Sequence, residues 1–148
     1  MSDDLQELAG RYRDILRQAV FLVRSMDAEG ELSIGQVSTL NMIAAVPMRV
    51  SDIARNAGIR VPSATEQVIK LEAAGLVKRI SDASDARVVL VKLTRAGSVK
   101  LKESNDRRNA VMAAALETLS PAERLSIANA IPAIAKLNAA LARQPPTS

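Results

Sequence analysis

The sequence predicts a mainly α-helical fold with one small β-hairpin. Three observations predict it. Apolar residues recur at helical spacing over most of the 148 positions. Two capping-box patterns, Ser33–Gln36 and Ser120–Glu123, mark helix starts. A single pair of β-branched runs flanks a Ser/Asp/Ala turn at residues 81–86.

In chain order, Leu5, Leu8, Tyr12, Ile15, Leu16, Ala19, Val20, Val23 and Met26 form one stripe of an amphipathic helix, which "DAEGE" (27–31) ends. The second helix starts at Ser33, carries Ile34, Val37, Leu40, Ile43 and Ala44, and closes at Pro47. A short third helix is expected from an N-cap at Ser51, with Ile53, Ala54 and Ala57 inward and Gly58 ending it. The fourth starts near Pro62, acceptable in a first turn, and turns Ala64, Val68 and Leu71 inward as far as Gly75. "LVKRI" and "RVVLVKL" then read as hairpin strands. Thr94 caps a fifth helix whose middle, "KESNDRRN", is polar all round and is expected to stand in solvent or reach between parts. Ser120, Pro121 and Glu123 begin the sixth, where Pro132 is expected to bend or break the helix. "RQPPTS" (143–148) reads as a disordered tail.

Composition narrows the chemistry. With no cysteine and no histidine, disulfides, thiolate or imidazole metal sites and Ser-His-Asp or Cys-His catalysis are all ruled out. No motif supports lysine, tyrosine or carboxylate catalysis, so neither an enzyme nor a bound cofactor or metal is expected. The acidic first residues do not read as a signal peptide, and no stretch reads as a membrane span. The net charge of +4 is unevenly spread. Residues 49–108 hold 13 Lys and Arg against 7 Asp and Glu, whereas the rest hold 7 against 9. Positive charge in the middle third suits a phosphate partner.

A short helix, a turn at Gly58 and a second short helix make a helix-turn-helix, in which Ala54 allows a close crossing. The hairpin directly after it makes this a winged helix-turn-helix. The organisation expected is an N-terminal dimerisation helix (1–32), a DNA-binding lobe (33–97), C-terminal dimerisation helices (98–142) and the tail. The end helices carry more apolar residues than one small core needs, which points to a homodimer.

The chain resembles the MarR family of winged-helix transcriptional regulators. The resemblance rests on "LEAAGLVKRI" (71–80) and on the pattern Asp85-x-Arg87 followed by Leu93-Thr94-x-x-Gly97, with a helix at each end. It implies a cytoplasmic, dimeric regulator, a repressor or an activator, acting on palindromic double-stranded DNA and released by a small effector or an oxidant. Without cysteine, a thiol-oxidation switch is excluded. The effector is expected between the DNA-binding lobe and the dimer helices, near Tyr12, Arg13 or Arg17.

A helix fits the major groove and its N-terminal residues reach base edges. Here those are Pro62, Ser63, Thr65 and Gln67, with Lys70 nearer a phosphate. Gln67 suits adenine, and Thr65 a thymine methyl or a phosphate. Glu66 accepts only from a donor such as cytosine N4, or else pairs with Lys70. Asp85 and Arg87, two apart on an extended run, share a face, so the carboxylate orients the guanidinium. By resemblance, Arg87 is the wing arginine that enters the minor groove. Arg49, Arg55, Arg60, Lys78, Arg79, Lys92 and Arg95 are phosphate candidates, as is the Ser51 backbone N–H. A winged helix serving protein interaction without specific DNA binding is the alternative, motivated by Glu66 and the sparse charge of the wing tip.

Overall fold

The computed structural model describes residues 2–27 and 31–144. Its elements run α1 (Asp3–Ser25), α2 (Ile34–Ala45), α3 (Val50–Ala57), α4 (Val61–Ala73), β1 (Val77–Ser81), β2 (Val89–Leu93), α5 (Arg95–Glu117) and α6 (Pro121–Ala142). The mainly α fold with one hairpin is the one the sequence predicts. The chain divides into two compact units, Met1–Arg108 and Asn109–Ser148, with the boundary inside α5.

The first unit holds one core. Leu40, Ile43, Ile53, Val68, Leu71 and Val91 are fully buried, so α2, α3, α4 and the hairpin share a single apolar centre. The helix starts of α2 and α6 follow the capping-box chemistry in full: Ser33 and Gln36, like Ser120 and Glu123, exchange reciprocal side-chain and backbone bonds. Gly58 closes α3 at φ 66°, a left-handed conformation that costs a side chain with a Cβ.

The wing is an antiparallel pair in register Val77↔Leu93 to Ser81↔Val89. A third segment joins it: Met48 and Val91 exchange both backbone bonds, at 3.2 and 2.7 Å. The root of the wing is thereby tied to the chain just before α3. Behind it, Thr94 Oγ1 accepts from Gly97 N–H at 3.0 Å and donates to Gly75 O at 2.6 Å. Gly97 sits so close to the Leu76 carbonyl that a Cβ there would collide with it. The Leu-Thr-x-x-Gly pattern is thus a packing device that seats α5 against the base of β1.

Several expectations are corrected. Arg49, in extended conformation, precedes α3, and Ser51 lies inside its first turn without capping it. The α4 helix starts at Val61, beside Pro62 as expected, and the proline stands in the first turn, where a missing N–H costs no helical bond. The strands are shorter than their β-branched runs, since Arg87 and Val88 belong to the turn. The polar stretch of α5 does both things expected of it: Lys102, Glu103, Asp106 and Asn109 are exposed, while Ser104 is buried and Arg108 reaches across to donate to Asp27 at 2.6 Å and to Leu32 O at 2.9 Å. Arg108, with Lys100 and Arg107 each 3.9 Å from Glu31, joins α5 to the α1–α2 connection through charge. Helix α6 runs through Pro132 unbroken. It is also long and apolar enough to cross a membrane by length and composition, with a mean hydropathy of 1.3, because six leucines and isoleucines are set among its alanines. Residues 145–148 of the expected tail lie outside the described residues, as do 28–30 of the expected break.

Candidate nucleic-acid interface

The inward residues of α4, Ala64, Val68 and Leu71, are buried in the core. At 100° per residue, the opposite stripe is Pro62, Glu66, Ile69 and Ala73, with Ser63 and Lys70 on one shoulder. All six are exposed. Glu66 and Lys70 form an exposed pair at 3.1 Å, one helical turn apart. Arg60, exposed, stands at the N-cap of the helix, and Ser51 is exposed in the first turn of α3.

Two residues expected at the outer face are turned aside. Thr65 is half-buried. Gln67 is half-buried too, and its Oε1 accepts from the hydroxyl of Thr39 at 2.5 Å. Thr39 is almost wholly buried on α2, so Gln67 satisfies a hydroxyl that would otherwise be costly inside the protein. Gln67 is therefore a strut between α4 and α2 with its amide oxygen already committed. Helical phase decides this: position 67 falls on the flank of the Ala64–Val68–Leu71 face.

The wing tip is built by aspartates. The Asp82 carboxylate accepts from the backbone N–H and hydroxyl of Ser84 at 2.8 and 2.7 Å. Asp85 accepts the backbone N–H of Arg87 at 3.0 Å, and its two oxygens take Nε and Nη2 of the guanidinium at 3.1 and 3.3 Å. Val88 N–H to Asp85 O, 3.0 Å, closes a turn. Asp85 and Arg87 thus meet across this tight turn and not along an extended strand, because the carboxylate binds the backbone of the residue two further on. The expected fork is present, and the Arg87 side chain is 91% exposed. The Arg87 side chain, followed by its backbone N–H, holds the Asp85 carboxyl below the usual carboxylate range; the Ser84 backbone N–H does the same for Asp82. Both carboxylates stay charged at neutral pH and keep the tip folded.

Arg79 on β1 pairs with Glu72 at 3.5 Å, and Arg55 pairs with Asp52 on α3. Arg49, Lys78, Lys92 and Arg95 are exposed. Three features escaped the residue-by-residue reading: Ile69 on the outer stripe, the Thr39–Gln67 bond, and a cavity of about 390 Å³ among α1, α2 and the α3–α4 turn. Val20, Val23, Ile34 and Ile59 give it apolar walls, while Arg24, Thr39 and Gln67 supply polar groups. The position of Ile69 was legible from the phase that puts Ala64 inside.

Comparison with known proteins agrees with this geometry. A model described as the MarR family matches residues 32–89. A protein described as the uncharacterized HTH-type transcriptional regulator YxaD of Bacillus subtilis (strain 168) is 32% identical over 94 residues. That match covers 63% of this chain and 66% of the relative, a little under two thirds of its length. The crystal structure of the transcriptional regulator BldR from Sulfolobus solfataricus is 26% identical, with a TM-score of 0.72, over 97% of this chain and 100% of that one. The YusO protein of Bacillus subtilis is also 26% identical, with a TM-score of 0.64, over 92% and 98%.

Proposed function

The chain belongs to the MarR family, and on that premise we propose that it is a ligand-responsive, sequence-specific regulator that binds palindromic double-stranded DNA as a homodimer and represses. The observation that carries the reading is the pairing of two exposed features on one lobe. One is the outer stripe of α4, free of core contacts; the other is Arg87, held out from the wing by a two-pronged carboxylate. A helix of this size enters a major groove, and a guanidinium held in a fixed orientation suits the narrow, strongly negative minor groove beside it. Arg60, Lys70, Arg49 and the Ser51 backbone N–H would lie along phosphates and set register without reading sequence. The proposed role involves no catalytic step, and its setting is the cytoplasm.

The dimer is supported by apolar surface that one chain leaves uncovered. Phe21, Ile15 and Leu8 on α1 are more than half exposed, and so are Leu125, Ile131 and Leu141 on α6. Neither helix has a fully buried residue. Two such faces favour a second copy, which also explains the hydropathy of α6. Two recognition helices then address half-sites about one DNA turn, roughly 34 Å, apart.

The ligand response is assigned to the cavity among α1, α2 and the α3–α4 turn, one to two helical turns beyond Tyr12, Arg13 and Arg17. Its apolar walls suit an aliphatic body, and Arg24 suits a carboxylate on it. Gln67 lines the cavity and belongs to α4, so a ligand that displaces the Thr39 bond acts directly on the recognition helix.

Selection of duplexes from a random library at about 150 mM salt, where non-specific binding is suppressed, tests the reading. A two-fold consensus, together with a dimer mass in sedimentation, is the expected result. No enriched sequence, with a stable protein partner recovered instead, would replace it with the interaction-module reading.

A further inference from the structure

We infer that Ile69 and Glu66 are the two base-reading side chains of α4, Ile69 against a thymine methyl and Glu66 against the amino group of a cosited cytosine. This deepens the DNA-regulator reading and rests on it. An exposed isoleucine alone is ordinary surface. Ile69 is 53% exposed at the middle of a helix whose opposite face is wholly buried, in line with Pro62 and Glu66. Whatever faces the outer side of α4 meets this stripe first.

The stripe offers almost no hydrogen-bond donor. Pro62 and Ile69 present only carbon, and Glu66 is an acceptor when ionised. In the major groove, guanine shows the acceptors N7 and O6, and thymine shows O4 with a methyl group. Adenine shows an amino donor beside an acceptor, and only cytosine shows a donor alone. A carboxylate is therefore repelled by guanine and thymine oxygens, partly opposed at adenine, and matched at cytosine N4. An isoleucine gains nothing from polar edges and is matched by the thymine methyl. Gln67, the one side chain of α4 able to grip adenine with both amide atoms, is instead bonded to Thr39. Lys70, 3.1 Å from Glu66, offsets the carboxylate's repulsion of the nearby phosphates.

The test begins from the consensus that the full-length protein selects. Each thymine of a half-site is replaced singly by deoxyuridine, which removes only the methyl group. Wild-type protein is expected to lose about fourfold in affinity at one such position, the fold-change of one buried methyl group. Ile69→Ala, melting at the wild-type temperature, is expected to bind thymine and deoxyuridine duplexes equally there. Glu66→Ala is expected to lose preference for cytosine at one position while its affinity for random duplex holds or rises. Equal deoxyuridine sensitivity in wild type and Ile69→Ala would overturn the Ile69 assignment. An unchanged cytosine preference in Glu66→Ala would overturn that of Glu66. Failure of the wild-type protein to select any sequence is a different result, which removes the DNA-regulator reading itself and this inference with it.

Discussion

Arg87→Ala separates binding from folding cleanly. The guanidinium is 91% exposed and its partner among the described residues is the solvent-facing Asp85, so the side-chain pair contributes little to stability. The melting temperature is expected to stay at the wild-type value. Binding is another matter. A fixed groove contact is worth about 1–3 kcal/mol, or roughly 5- to 150-fold in affinity. The loss is expected in the upper part of that range, because Asp82 and Asp85 remain at the tip, both ionised and no longer balanced. Two carboxylates facing phosphates add repulsion to the missing attraction. Fluorescence anisotropy against the selected duplex, repeated across salt concentrations, should show the plot of log affinity against log salt flattening by about one unit. A second change, Asp85→Asn on the Arg87→Ala background, removes the charge but keeps an oxygen for the residue-87 backbone N–H, and should recover part of the loss. Unchanged affinity with an unchanged salt slope in Arg87→Ala would remove the wing from the interface.

Three further outcomes are expected. Asp27, which accepts from Arg108 and from the Ile34 backbone N–H, is held below the usual carboxylate range first by that arginine bond. A lowered folded value means that its stabilisation is present above the unfolded carboxylate range and is lost as pH falls through the folded value. Asp27→Asn should therefore melt lower than wild type at neutral pH, by about 1–2 kcal/mol, with the gap closing in acid melts; a gap independent of pH would refute the role of charge. Gly97→Ala drives a methyl group into the Leu76 carbonyl and should cost about 2 kcal/mol, lowering the melting temperature by roughly 4–8 °C in calorimetry. Gln67→Ala leaves the buried Thr39 hydroxyl unpaired, so it should cost about 1–2 kcal/mol in denaturant unfolding while the selected DNA consensus stays the same. A changed consensus with unchanged stability would restore Gln67 as a base reader.

The bond between Gln67 and Thr39 is a feature that residue type alone does not reveal. Glutamine in the first half of a recognition helix has the chemistry for adenine, and nothing local forbids it. Its partner, Thr39, is 28 positions away, and only the packing of α4 on α2 brings the two together. Arg108 and Asp27, 81 positions apart, tell the same story for the polar middle of α5. Charge that reads as solvent-facing along a helix becomes structural once another segment folds beneath it. At the wing, by contrast, Asp85 and Arg87 are two apart, and the orienting pair was legible; what was missed was the backbone, because the carboxylate that holds the arginine also folds the turn.

By itself the sequence determined the elements and the inward faces of the wing and recognition helix. Helical and strand periods, capping boxes and Gly58 all act within a few residues, so their outcome is local. It also determined what chemistry is excluded, since absent side chains cannot be supplied by folding. The tertiary structure alone decided which polar residues are spent inside the protein and which remain for a partner. That choice depends on contacts between distant segments, and burial makes an unpaired polar group so costly that the fold assigns Gln67 and Arg108 to partners within the chain while leaving Ile69, Glu66 and Arg87 facing outward.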